Sequence, residues 1–231
     1  MSITKGSYSL SEVNNLIKKD NYININSVFP SLNSVTKSFN ATGFQPYGVT
    51  IDSNRNLISS VFTTNPGTIY VHDKISSSIL SSFSSPDNFP YGLTCDQNGN
   101  LISCDLNLTP GKIYVHQGIS STITSSFDTP GGNTRGITVD LNGNLISCDG
   151  STNPGKIYVH QGISSTITTS FDTPGNEPQG ITVDNNNNLI SVDRDKGPGK
   201  IYIHQEISSQ ITTGFDTPGN LSQGITFDSD T

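Results

Sequence analysis

A strict period of 44 residues runs along this chain and limits what it can fold into. The stretches GKIYVHQGISSTITSSFDTPGG, residues 111–132, and GKIYVHQGISSTITTSFDTPGN, residues 155–176, are nearly the same letters twice. Gly48, Gly92, Gly136, Gly180 and Gly224 set the frame, each followed by an aliphatic residue and a threonine. Phe39, Phe83, Phe127, Phe171 and Phe215 fall on it, as do His72, His116, His160 and His204, which are all the histidines of the chain. A period of some tens of residues marks stacked supersecondary units, because one such unit cannot bury its apolar face alone.

Within one copy, residues 136–179, the local signals are short strands between turns. GITVD (136–140) is a β-branched run, LNG supplies a turn, and NLISCD (144–149) is a second run. GSTNPG breaks the chain, KIYVHQ (156–161) and SSTITTSF (164–171) follow, and DTPGNEPQ ends the copy. No helical period is present. Leu145 and Ile146 are adjacent and apolar, so they point to opposite faces of one strand that must be covered on both. A small antiparallel sheet packed on both sides by its own copies is a propeller blade. The expected fold class is therefore all-β, a β-propeller of four-stranded blades forming a single domain over residues 1–231, with repeats 48–91, 92–135, 136–179 and 180–223.

The remaining segments, 21–47 and 224–231, are expected to share a closing fifth blade. GITFD (224–228) would give its innermost strand, and YININ (22–26) and SVTKSFN (34–40) strands further out. Closure of this kind removes the free sheet edge between the chain ends. An incomplete six-bladed ring is the alternative. Residues 1–20 read as a possible N-terminal extension, with Ser9 and Glu12 as a capping box and Leu10, Val13 and Ile17 at helical spacing.

Only 31% of the chain is hydrophobic, and the regular placement of those residues is what separates it from a disordered polymer. The net charge of −7, with no Lys/Arg cluster, argues against a nucleic-acid partner, since phosphate binding needs a basic face. No stretch approaches the length of a membrane span, and MSITKGSYSLSEVNNLIKKD at the start lacks the apolar core of a signal peptide, so the chain is expected to be soluble. Cys95, Cys104 and Cys148 are an odd number, and Cys104 and Cys148 share one repeat position, which suits small buried thiols better than a disulfide framework.

The succession Gly-Ile-Thr-Val-Asp, a short turn, Asn-Leu-Ile-Ser-Cys-Asp, then Gly-Lys-Ile-Tyr-Val-His, as it stands in residues 136–160, resembles the NHL repeat. The resemblance covers residues 48–228 in four full copies and one partial copy. It implies a propeller, and because similar propellers include lactonases and lyases, it does not choose between binding and catalysis.

Several residues could carry chemistry. Asp52, Asp96, Asp140 and Asp184 each head an Asn-rich turn that faintly looks like a calcium loop, but no acidic residue closes it, and a hairpin turn is the expected role. The histidines lie on third strands, away from the ring axis, so they cannot converge on one zinc ion and are expected to pack between blades. Asp105, Asp149 and Asp193 end the second strands and are weak metal candidates; Val61 breaks the set, and turn capping is the expected role. No nucleophile elbow, His-Glu-x-x-His or phosphate loop occurs, and no catalytic residue or cofactor is expected.

Immediately before the frame glycines stand Tyr47, Tyr91, Arg135, Gln179 and Gln223, which differ from copy to copy while their surroundings barely change. They belong to the loops that enter the innermost strands and form the candidate ligand-binding rim. The expected function is non-enzymatic binding of a protein or small ligand at one face of the ring. The alternatives are a lectin-like module with one weak carbohydrate site per blade and a lactonase- or lyase-like enzyme.

Overall fold

The computed structural model describes residues 38–40, 46–62, 65–106, 110–194, 199–217 and 222–228. The chain divides into two units between Ser38 and Phe39, and every element below belongs to the second, residues 39–231.

The described residues form four antiparallel four-stranded sheets, each built in chain order. The first blade holds β1 (Pro46–Ile51), β2 (Leu57–Val61), β3 (Thr68–His72) and β4 (Ile79–Ser84), and the second holds β5 (Pro90–Cys95), β6 (Leu101–Asp105), β7 (Lys112–His116) and β8 (Ile123–Asp128). The third consists of β9 (Thr134–Val139), β10 (Leu145–Asp149), β11 (Lys156–His160) and β12 (Ile167–Asp172). The fourth consists of β13 (Pro178–Val183), β14 (Leu189–Asp193), β15 (Lys200–His204) and β16 (Ile211–Asp216). The tight β9–β10 hairpin shows why the Asp-Asn turns recur. The Asp140 carboxylate accepts from the backbone N–H of Asn142 at 2.9 Å and of Asn144 at 2.7 Å, and Gly143 takes the positive φ of 82° that the turn requires. Asp52, Asp96 and Asp184 accept in the same way.

The apolar core lies between blades. Leu145 packs toward the second blade with Ile102, Cys104, Ile113 and Ile137, while Ile146 packs toward the fourth with Cys148, Ile157, Ile181 and Leu189. Ile58, Ile69, Leu93 and Leu101 make the equivalent cluster between the first two blades. These are the adjacent apolar pairs covering both faces of each second strand.

The frame glycines are where neighbouring innermost strands touch. A Cβ on Gly92 would stand 2.7 Å from the Arg135 carbonyl oxygen, one on Gly136 2.9 Å from the Gly180 Cα, and one on Gly180 2.7 Å from the Gln223 carbonyl oxygen. Gly224 meets the Tyr47 carbonyl in turn, at 2.8 Å, which closes the circle of contacts.

The expected five blades, and the six-bladed alternative, are corrected by this architecture: the described residues form a ring of four. Residues 222–228 carry the fifth copy of the frame sequence but form no strand, although they pass between β13 and β1. A strand needs a laddered neighbour, and none of the described residues offers this segment one. The partner strands expected from YININ and SVTKSFN, like the helix expected around Ser9–Glu12, fall outside the described residues except for residues 38–40, which have no strand structure.

Candidate functional site

Each innermost strand begins with a bulge at the residue before the frame glycine. On β9 and β10, Thr134 pairs with Asp149 and Gly136 with Cys148, so Arg135 is the extra residue. Gln179 is skipped in the same way between the Pro178 and Gly180 pairings. The registers of β1 and β5 shift at Tyr47–Gly48 and Tyr91–Gly92. A bulge re-aims a side chain out of the sheet's alternation, and here it turns these residues to the ring axis. Tyr47, Tyr91, Arg135, Gln179 and Gln223 all line one axial cavity of about 10 Å³.

Around that cavity the side chains pair with one another. Tyr47 and Tyr91 stack with ring centroids 4.3 Å apart. Burial, and the neighbouring Tyr47 phenol, hold the Tyr91 hydroxyl above its ordinary acidity range against the opposing pull of Arg135 and Arg194. Arg135 Nε donates to Asn133 Oδ1 at 3.1 Å, and Gln179 Nε2 donates to the Glu177 carbonyl at 3.3 Å.

Two further sets of residues join this face that the sequence reading did not single out. Three residues before the frame glycine stand Phe89, Asn133 and Glu177, and fourteen after it stand Phe62, Leu106, Gly150 and Arg194. The backbone N–H groups of Leu106, Gly150 and Arg194 donate to the carbonyls of Phe89, Asn133 and Glu177 at 3.2, 3.1 and 3.0 Å, which fastens the two sets together. Phe62 and Phe89 stack at 3.9 Å, and Arg194 pairs with Glu177 at 2.9 Å. The signal was available: like the rim residues, these vary between copies that otherwise agree. The face is thus aromatic over the first two blades and charged or amide-bearing over the other two.

Asp105, Asp149 and Asp193 stand behind it as latches between the second strand and the loop entering the first. The Asp149 carboxylate accepts from Asn133 N–H at 2.7 Å and Ser151 N–H at 2.8 Å; Asp105 accepts from Phe89 N–H at 2.7 Å, and Asp193 from Glu177 N–H at 3.2 Å. Among the described residues no group of three or more His, Cys, Asp or Glu side chains is placed to hold a metal ion.

All four histidines are buried, and His116, His160 and His204 lie between blades. His160 Nδ1 lies 2.6 Å from the Ser164 carbonyl, so Nδ1 carries the hydrogen, and Nε2 accepts from the Ser147 hydroxyl at 2.9 Å. His116 and His204 repeat the pattern, and His72 keeps its serine partner, Ser59. Phe83, Phe127 and Phe171 of the preceding blades lie 6.1, 6.1 and 6.2 Å from His116, His160 and His204. The three cysteines are free thiols. Sγ of Cys104 and of Cys148 accepts the frame N–H of its own blade at 3.2 Å, and burial pushes the Cys148 thiol up to about 12.

No family model and no curated protein matches the chain, so the likeness to NHL repeats rests on the residues quoted above. Solved structures do match. The glutaminyl cyclase of Myxococcus xanthus aligns with a TM-score of 0.62 at 13% identity, over 80% of this chain and 82% of that one. The chain is a β-propeller. The hydrazine synthase of Kuenenia stuttgartiensis follows with a TM-score of 0.55 at 10% identity, and the Dos1 propeller with 0.50 at 12%. These alignments cover 80% and 79% of this propeller, which spans about half of each of those chains, 53% and 50%. At such identities the likeness is one of fold. No helix among the described residues is long and apolar enough to cross a membrane.

Proposed function

We propose that this chain is an NHL-like binding scaffold that engages a small ligand or a protein at the end of the ring carrying Tyr47, Tyr91, Arg135, Gln179 and Gln223. One observation carries the reading: three frame positions that vary between copies meet on a single end, although they are far apart in sequence. A scaffold held constant by its hydrogen bonds, with variation gathered at one loop-built face, is the arrangement of a recognition surface. Tyr, Phe and Arg supply stacking area and a planar cation there, the groups that contribute most per contact. The blade-to-blade grooves that a multivalent module would use are occupied by the Ser–His–Phe packing, which favours one site over many. The test is to screen the whole chain against small-molecule and protein libraries and repeat the hits with Arg135→Ala and Phe89→Ala. Binding that weakens about tenfold or more in either variant, with the melting temperature nearly unchanged, is expected; hits indifferent to both substitutions would refute the assignment.

A further inference from the structure

The axial cavity has unusual polar chemistry. Among the described residues Arg135 Nη1, Gln179 Oε1 and Gln223 Oε1, shielded from solvent, meet no hydrogen-bond partner, and their residues all line the same small space. Gln179 is only 2% exposed, and the bond from its Nε2 to the Glu177 carbonyl fixes which end of the amide faces inward. Arg135 is likewise anchored through Nε. Buried polar groups are seldom left unpaired, and a volume of about 10 Å³ is the room of a single water. One donor and two acceptors call for a guest that donates twice and accepts once. An anion would meet the two amide oxygens and a cation the guanidinium, so the guest is uncharged. Beside it Tyr47 and Tyr91, both half-buried, stack on one another with ring centroids 4.3 Å apart, and what they leave exposed is aromatic surface of the kind against which the C–H face of a sugar ring packs, its hydroxyls then within reach of the planar amide and guanidinium groups.

We propose that the cavity formed by Arg135, Gln179 and Gln223 is a site for an uncharged hydroxyl-bearing guest: a water in the free protein, replaced by a hydroxyl of a single saccharide when the face is occupied. The proposal rests on the reading of this end as the binding face and gives its ligand a class. The water joins the third and fourth blades to residues 222–228, which lack strand pairing of their own.

Two measurements on the whole chain test it. Oxygen-17 relaxation dispersion should count one long-lived internal water that is lost in Gln223→Met and in Arg135→Met; an unchanged count in both folded variants overturns the proposal. Calorimetric titration with a panel of neutral mono- and disaccharides, and separately with inorganic phosphate and acetamide, should find a saccharide binding one per chain, weakened about tenfold in each variant. Phosphate binding that vanishes in Arg135→Met would overturn the uncharged guest while leaving the binding face in place, and acetamide binding in preference to every sugar would do the same for the hydroxyl. A saccharide bound several per chain and indifferent to both variants would overturn the site and the single-face reading together. A panel with no binder at millimolar concentration overturns the saccharide assignment alone.

Discussion

The buried histidines show how much of one residue's role lies in its two nitrogens. His116 fills space against Phe83 and links Ser103 on the neighbouring strand to the Ser120 carbonyl. His116→Ala should therefore cost about 3 kcal/mol, and His116→Gln about 1 kcal/mol less, because glutamine keeps volume and one polar contact; urea unfolding reads both. Burial lowers the pKa of His72, His116, His160 and His204 below the ordinary 6.5, outweighing the backbone carbonyl that raises each. Between the folded-state values and 6.5 the unfolded chain binds more protons, so stability rises with pH across that window. Unfolding midpoints should thus be level above about pH 6.5 and fall as the solution is acidified below it; a flat profile from pH 7.5 to 5 would contradict neutral buried imidazoles. That His116, His160 and His204 pack between blades was legible from their place on the third strands. Their serine partners were not read out, although Ser59, Ser103, Ser147 and Ser191 recur on the frame as faithfully as the histidines do.

At the scale of strands and turns, the legible features were those with a local cause. Leu145 next to Ile146 forces two covered faces, and the Asp140 turn is satisfied within five residues of chain. The bulge that turns Arg135 to the axis was not legible, because it depends on register against Asp149, fourteen positions on. The frame glycine beside it has its own explanation: a methyl group on Gly136 would collide with Gly180 Cα, Ile181 N and Cys148 Sγ at 2.9 Å each. Gly136→Ala should separate two innermost strands and destabilise by roughly 2–3 kcal/mol, whereas Gly132→Ala, with nothing within 4 Å, should be nearly neutral. Comparative thermal melts check the pair.

For the whole molecule, repetition made the propeller legible but not the number of blades. GITFD at 224–228 reads as a fifth innermost strand, yet strand formation is decided by a laddered neighbour and not by the pentapeptide itself. Residues 222–228 still complete the axial contacts through Gln223 and Gly224, so removing residues 222–231 should lower stability by about 2–4 kcal/mol, the scale of burying Ile225 and Phe227. The proposed face was half visible in the sequence: the rim stood out as a varying position, whereas Phe62, Phe89, Glu177 and Arg194 joined it only when the loops were seen to meet. Its role is tested most directly by mapping amide chemical shifts of the labelled chain on addition of a ligand found by unbiased screening. Shifts gathered at Tyr47, Phe62, Phe89, Tyr91, Arg135, Gln179, Arg194 and Gln223 are expected; shifts that recur at equivalent positions every 44 residues along the blades would contradict a single recognition face.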